Sequence, residues 1–236
     1  MNDSVAIITA RGGSKRIPGK NIRNFLGRPI IEYSIAAALE SGCFSEVMVS
    51  TEDQKIAEIA EAAGAKIPFY RSQKNADDHS TTADVIEEVL NNYKTQGKKF
   101  GSACCIYPTA PFVTAEKLKH AYDRLRSEGA SSVVPVVRFS FPILRSFKME
   151  NGFVKMNWPE YINTRSQDLP PAFHDAGQFY FIRTEDFLRD KKLFTQKTIG
   201  LEMPESEVQD IDNEEDWKLA EIKYTFLLQR KNNGRG

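Results

Sequence analysis

The chain has 236 residues, 41% of them hydrophobic, and its 32 Lys and Arg balance 32 Asp and Glu. That length buries a core without disulfides or structural metal, and zero formal charge argues against a generic nucleic-acid or membrane-surface binder. Three cysteines without metal-ligand spacing, Cys43, Cys104 and Cys105, read as reduced thiols of a cytoplasmic protein.

Residues 1–4 are polar, and the apolar run 5–10 is too short for a signal segment or a membrane span. The run instead predicts a buried strand over 5–9. Helical spacing over 31–40, closed by Gly42, predicts a helix. A strand is expected over 46–50, a helix over 53–63 ended by Gly64, and a short strand over 66–70. A helix follows over 82–93, with Val85, Ile86, Val89 and Leu90 on one face. Next come a strand over 102–107 stopped by Pro108, a helix over 115–127 and a strand over 132–137. This alternation predicts an α/β fold with a mostly parallel sheet and helices on both faces. Residues 138–176 break the pattern with Pro142, Pro159, Pro170, Pro171 and many aromatics, and read as an insertion within a single 1–236 domain. A strand over 177–182 and a helix over 216–228 close the pattern, leaving 229–236 as a polar tail.

Ligands of such folds collect at the carboxyl ends of strands. The first of these ends carries ARGGSKRIPGKN, residues 10–21, with three glycines and five cationic or amide side chains. Glycines let backbone N–H groups approach a phosphate, and Arg and Lys neutralise it. It is neither a Walker A loop nor a dinucleotide fingerprint. A solvated basic loop would carry the same charges, but this position after a strand is where ligands bind.

This segment resembles the N-terminal signature of the sugar cytidylyltransferases, in particular the CMP-sialic acid synthetases and their bacterial relatives for other nonulosonic acids. The resemblance spans residues 5 to about 228. It implies a three-layer α/β/α, nucleotide-diphospho-sugar transferase-like (Rossmann-like) fold. It also implies that Arg11 and Lys20 act catalytically on the triphosphate of CTP, with Ala10, Gly12, Gly13, Ser14 and Asn21 around it and Lys15 as a further candidate. The STED run at 50–53 matches a family element after a strand. Arg71 and the run 77–82 (DDHSTT) resemble the cytosine-side segment, which places Arg71, Ser80, Thr81 and Thr82 at the base. The same hydroxyls would also cap the following helix. YPTAP at 107–111 matches the family's QPTSP, with Pro108 and Thr109 beside CTP. Tyr107 replaces a Gln that helps hold the sugar in sialate synthetases, which points away from N-acetylneuraminic acid.

Asp210 and Asp212 stand at i and i+2, which on a strand project to one face. Paired hard oxygens suit Mg²⁺ (or Mn²⁺) held together with substrate phosphates. The alternative is an acidic helix start, to which Glu214 to Asp216 belong. The family's IDID motif at this place implies Asp210 and Asp212 as metal ligands, with Asp210 catalytic. Residues 164–180 (TRSQDLPPAFHDAGQFY) resemble the pseudaminic acid cytidylyltransferases. That likeness implies Arg165 for the sugar carboxylate and Gln167, His174, Asp175, Gln178 and Tyr180, with Tyr107, for the rest of the sugar.

The implied reaction is transfer of CMP from CTP to the anomeric hydroxyl of an acidic nine-carbon sugar, releasing pyrophosphate. Pseudaminic acid is the expected acceptor. Legionaminic or N-acetylneuraminic acid is the alternative, and a non-catalytic CTP or nucleotide-sugar binding protein is the reading from another class. No nucleic-acid or membrane partner is expected. The resemblance also implies a homodimer through 138–176, whose aromatics suit either an interface or a private subdomain core.

Overall fold

The computed structural model describes residues 3–77 and 80–233; Asp78 and His79, expected on the base side of the site, lie outside the described residues. Strand β1 (Ser4–Thr9) sends Val5 and Ile7 to one face and Ala6 and Ile8 to the other, all fully buried. A strand apolar on both faces must be covered on both, and β1 lies inside a seven-stranded sheet.

After a small hairpin, β2 (Asn24–Phe25) and β3 (Arg28–Pro29), the chain forms α1 (Ile31–Ser41), β4 (Glu46–Ser50) and α2 (Gln54–Ala62). Then come α3 (Thr82–Thr95), β5 (Ser102–Ile106), α4 (Ala115–Ser127) and β6 (Ser132–Arg138). The insertion holds a separate hairpin, β7 (Phe147–Glu150) and β8 (Phe153–Met156), and returns through β9 (Phe173–Asp175). The last elements are β10 (Phe179–Arg183), α5 (Thr184–Asp190), β11 (Thr198–Glu202) and α6 (Glu214–Asn233).

The strand order is β11-β6-β10-β5-β1-β4, with β9 also paired to β6. Strands β4, β1, β5, β6 and β11 run one way, and β9 and β10 run against them. On one face Ile8, Val49 and Phe181 pack under Ile35, Ile56 and Leu118 of α1, α2 and α4. On the other, Ile7, Met48 and Cys105 pack under Ile86, Val89 and Phe187 of α3 and α5. The result is the expected three-layer α/β/α arrangement. A third cluster joins Trp217 and Ala220 of α6 to Ile17, Phe25, Phe112 and Ile211, and so fixes the loop after β1 against the segment before α6.

Several expected elements differ. No strand forms over 66–70: Lys66 alone bridges Met48, because Pro68 has no N–H to give a ladder. The strand expected over 177–182 begins later, at Phe179, because Gly177 adopts φ +62° and turns the chain. Helix α6 continues past Leu228 to Asn233. Asp210 and Asp212 lie in irregular chain rather than a strand. The insertion has no private core: Phe141 is 84% exposed and Phe153 74%, and Phe139, Phe147 and Phe173 are exposed with them.

Candidate active site

The loop after β1 is built by contacts on both of its sides. Ala10 N–H donates to Ser50 O at 3.0 Å, which carries the pairing with β4 past the strand end. Asn21 is buried, and its Nδ2 donates to Arg11 O at 2.8 Å. Gly12 N–H donates to Glu52 Oε1 at 2.7 Å, and a Cβ on Gly12 would lie 2.6 Å from Asp53 Oδ2. Glycine is therefore required there by close approach. Gly12, Gly13 and Ala10 shape the loop and do not themselves line the cavity beside it.

That cavity holds about 610 Å³ and sits where the loops after β1 and β5 meet the segments before α3 and α6. Arg11, Lys15, Arg16, Lys20 and Arg71 line it, with Ser14 and Asn21. Facing them are Asp210 and Asp212, which share one side because Ile211 between them is fully buried in the third cluster. The alternation expected of a strand thus survives without a ladder partner. Lys20 Nζ donates to Ile211 O at 2.6 Å and lies 3.8 Å from Asp212 Oδ1, while Arg16 Nη2 is 2.8 Å from the same oxygen. Burial pushes the Lys20 ammonium below its ordinary pKa, opposed by Asp212 and Asp210 and helped by Arg16 and Arg11. Burial and the neighbouring Asp212 push the Asp210 carboxyl up. Two neighbouring carboxylates that repel one another could hold a divalent cation.

At the other end, buried Arg71 donates to Ser50 Oγ at 3.1 Å and Ser50 O at 2.6 Å while still lining the cavity. Desolvation lowers its pKa, with Glu52 the largest opposing charge. Ser80, Thr81 and Thr82 line the same end. The Thr81 hydroxyl closes a capping box with Asp84, so it is the helix cap that the sequence also allowed. The Ser80 hydroxyl donates to Lys74 O or Asp77 Oδ1. Thr82 Oγ1 pairs with the Tyr107 hydroxyl at 3.0 Å. Pro108 and Thr109 complete the wall.

The sugar-side residues divide into two groups. Tyr107 lines the cavity; its ring meets Tyr180 edge-on at 5.5 Å, and the Tyr180 hydroxyl donates to Asp175 Oδ2 at 2.6 Å. Burial, Tyr107 and Asp175 together push the Tyr180 phenol up. Gln178 is buried, with its backbone carbonyl accepting from Tyr107 N–H and its side-chain Nε2 donating to Glu207 O. Arg165, Gln167 and His174 stand apart. Arg165 is exposed and pairs with Asp168 at 2.7 Å; Gln167 lines a second hollow with Arg138 and Glu202; His174 rests on Phe139. One chain alone does not bring these three to the cavity.

The structure adds Thr9, Arg16, Asn75 and Val85 to the lining and places Asp77 of the run 77–82 there too. Arg16 carried a sequence signal, as a cation inside the glycine-rich loop. Thr9, Asn75 and Val85 carried none, because only the fold turns them inward. Among the described residues there is no cluster of three or more metal-ligating side chains and no helix long and apolar enough to cross a membrane.

A family model described as Cytidylyltransferase matches residues 5–228. The chain is 39% identical over 222 residues to a protein of Campylobacter jejuni named pseudaminic acid cytidylyltransferase, covering 94% of this chain and 96% of that one. It is 33% identical to a protein of Legionella pneumophila named CMP-N,N'-diacetyllegionaminic acid synthase, covering 92% and 94%. Among solved structures, a CMP:2-keto-3-deoxy-manno-octonic acid synthetase complexed with CTP superposes with a TM-score of 0.66 at 16% identity, over 96% of this chain and 99% of that one. A 4-diphosphocytidyl-2C-methyl-D-erythritol synthase from Anaerococcus prevotii gives 0.63 at 15%, over 94% and 98%. These two likenesses bear on the fold.

Proposed function

The chain belongs to the cytidylyltransferase family, and on that premise we propose that it transfers CMP from CTP to the anomeric hydroxyl of pseudaminic acid. The observation that carries this reading is the cavity in which five cations of the loop and of Arg71 face the Asp210 and Asp212 carboxylates. A triphosphate brings about four negative charges at neutral pH, and such a cluster offsets them while leaving a seat for a cation.

The sugar hydroxyl oxygen forms a bond to the α-phosphorus as the bond to the β-phosphate bridge breaks, so pyrophosphate leaves and the hydroxyl proton passes to solvent. No covalent enzyme intermediate is required. Arg11 and Lys20 offset the charge that builds on the departing pyrophosphate. Lys20 suits this role because its carbonyl and carboxylate contacts fix its ammonium before substrate arrives. Arg71, Ser80, Thr82, Pro108 and Thr109 hold the cytidine end. Asp210 and Asp212 would hold Mg²⁺ (or Mn²⁺), since paired carboxylate oxygens beside substrate phosphates suit such an ion. Such an ion would supply charge neutralisation at the phosphates.

The Campylobacter relative and the Tyr107, Tyr180 and Asp175 wall support pseudaminic acid as acceptor. The Legionella relative, at lower identity, makes a legionaminic acid the second reading. The exposed aromatics of 138–176, and the placement of Arg165, Gln167 and His174 outside the lining of their own chain's cavity, support a homodimer that shares the insertion.

Pyrophosphate release from CTP, measured with pseudaminic, legionaminic and N-acetylneuraminic acids in turn, tests the proposal. The highest kcat/KM is expected with pseudaminic acid. Tight CTP binding without turnover on any of the three would overturn the reading in favour of a nucleotide-binding protein.

A further inference from the structure

One peptide group in the nucleotide loop is gripped at both of its polar ends. Arg11 C=O and Gly12 N–H belong to the same planar unit, and in a trans peptide they point in opposite directions. Asn21 Nδ2 holds the oxygen at 2.8 Å, and Glu52 Oε1 holds the N–H at 2.7 Å. With both ends of the plane held, rotation about the Arg11 Cα–C bond is restrained, which limits the directions in which the Arg11 side chain enters the cavity.

Glu52 stands in the STED run at 50–53, within hydrogen-bond reach of the loop. A carboxylate beside a triphosphate loop works against anion binding, so its presence calls for a compensating role. Its second oxygen, Oε2, is buried and has no hydrogen-bond partner. The nearby Arg71 guanidinium supplies the opposing charge. The next residue, Asp53, caps α2 through Ile56 N–H at 3.0 Å and crowds the position of a Gly12 Cβ. The loop is thus seated directly on the start of α2, with Glu52 as the hydrogen-bonding point of that seat.

We propose that Glu52 is a positioning residue for nucleotide binding: with Asn21 it clamps the Arg11–Gly12 peptide and so aims the Arg11 side chain at the triphosphate. This rests on the reading of the cavity as a CTP site. The clamp needs an acceptor oxygen at Glu52, not a negative charge, and that separates it from an electrostatic role.

The test uses the full chain with CTP and sugar acceptor. Glu52→Ala is expected to raise KM for CTP about 10-fold with KM for the sugar little changed, whereas Glu52→Gln, which keeps the acceptor, stays within about 3-fold of wild type. Asn21→Ala combined with Glu52→Ala is expected to be no more than about 3-fold worse than the worse single variant, because both release the same peptide. Hydrogen exchange of the Gly12 amide, followed by NMR on the nucleotide-free protein, should quicken in Glu52→Ala and stay slow in Glu52→Gln. An unchanged KM for CTP in Glu52→Ala, a Gln variant as impaired as the Ala variant, or a Gly12 amide indifferent to both would overturn the proposal. Failure of the wild-type chain to turn CTP over would instead sink the catalytic reading, and the exchange measurement would still decide whether the clamp exists.

Discussion

The Arg16 guanidinium lies 2.8 Å from the Asp212 carboxylate, tying the loop after β1 to the segment before α6 across the cavity. Both side chains are substantially exposed, at 68% and 41%, so the pair adds only about 0–1 kcal/mol to stability. Its importance lies in charge: in the nucleotide-free chain a guanidinium offsets a carboxylate proposed to hold metal. Asp210→Asn and Asp212→Asn are each expected to lower kcat by about 100-fold or more while thermal stability is kept. Pyrophosphate release with a Mg²⁺ titration is the measurement. Chelation with EDTA should abolish wild-type turnover, and added Mg²⁺ should restore it.

Gly12 and Gly13 should respond differently to alanine. A Cβ at Gly12 meets Asp53 Oδ2 at 2.6 Å, and Asp53 is committed to capping α2. At Gly13 nothing lies within 4 Å of the added atom. Gly12→Ala is expected to cost about 1–3 kcal/mol and to weaken CTP binding. Gly13→Ala should leave thermal stability near wild type, and calorimetric melting of the two variants compares them directly.

Glu46 predicts a pH effect on stability. Burial alone would raise its carboxyl, but hydrogen bonds from Tyr93 at 2.5 Å, Lys98 at 3.0 Å and Lys66 at 3.2 Å outweigh that and hold it below the ordinary range. A carboxyl depressed in the folded state stabilises fully above its unfolded value, roughly pH 4.3, and loses that contribution as pH falls through the folded value. Glu46→Gln should therefore cost about 1–3 kcal/mol at neutral pH. Urea unfolding as a function of pH should show the wild-type and variant curves converging in acid.

Thr81→Ala removes the capping box of α3. The expected loss is about 1 kcal/mol of stability, with KM for CTP within about 2-fold of wild type because the hydroxyl is already engaged by Asp84. A large rise in KM would show that Thr81 turns to the base when CTP binds.

The insertion predicts assembly. Sedimentation should give about twice the 26.7 kDa chain mass. Phe141→Asp or Phe153→Asp, at positions 84% and 74% exposed in the single chain, should shift it to the monomer and reduce turnover. A wild-type mass of one chain would remove the proposed sharing of Arg165.

What was legible in the sequence follows the reach of each signal. The alternation in β1 and the helix stops at Gly42 and Gly64 are local, and the structure bears them out. The Asp210 and Asp212 spacing was informative even though no ladder forms, because buried Ile211 enforces the same alternation. Strand direction is not a local property, so nothing around Phe179 announced that β10 runs against its neighbours. Lys66 to Tyr70 is apolar enough for a strand, but Pro68 decides otherwise. The contacts of Arg16 with Asp212 and of Gly12 with Glu52 join distant parts of the chain, and only the folded chain creates them.

The register of β9 on β6 has a consequence for how such a chain diversifies. Arg138 and Phe173 are direct partners across that ladder, so the whole excursion between them leaves and re-enters the sheet at one point. It is a handle attached at a single place, and lengthening it or recolouring its surface leaves the strands behind the Arg11 and Lys20 loop in register. Directly after the handle come Asp175 and Tyr180, which lean on Tyr107 at the cavity wall. A change in the handle therefore reaches the cavity through that short run of rings, first at Tyr107 and then at the Thr82 hydroxyl bonded to it, while the loop of Arg11 and Lys20 on the far wall is held by other contacts.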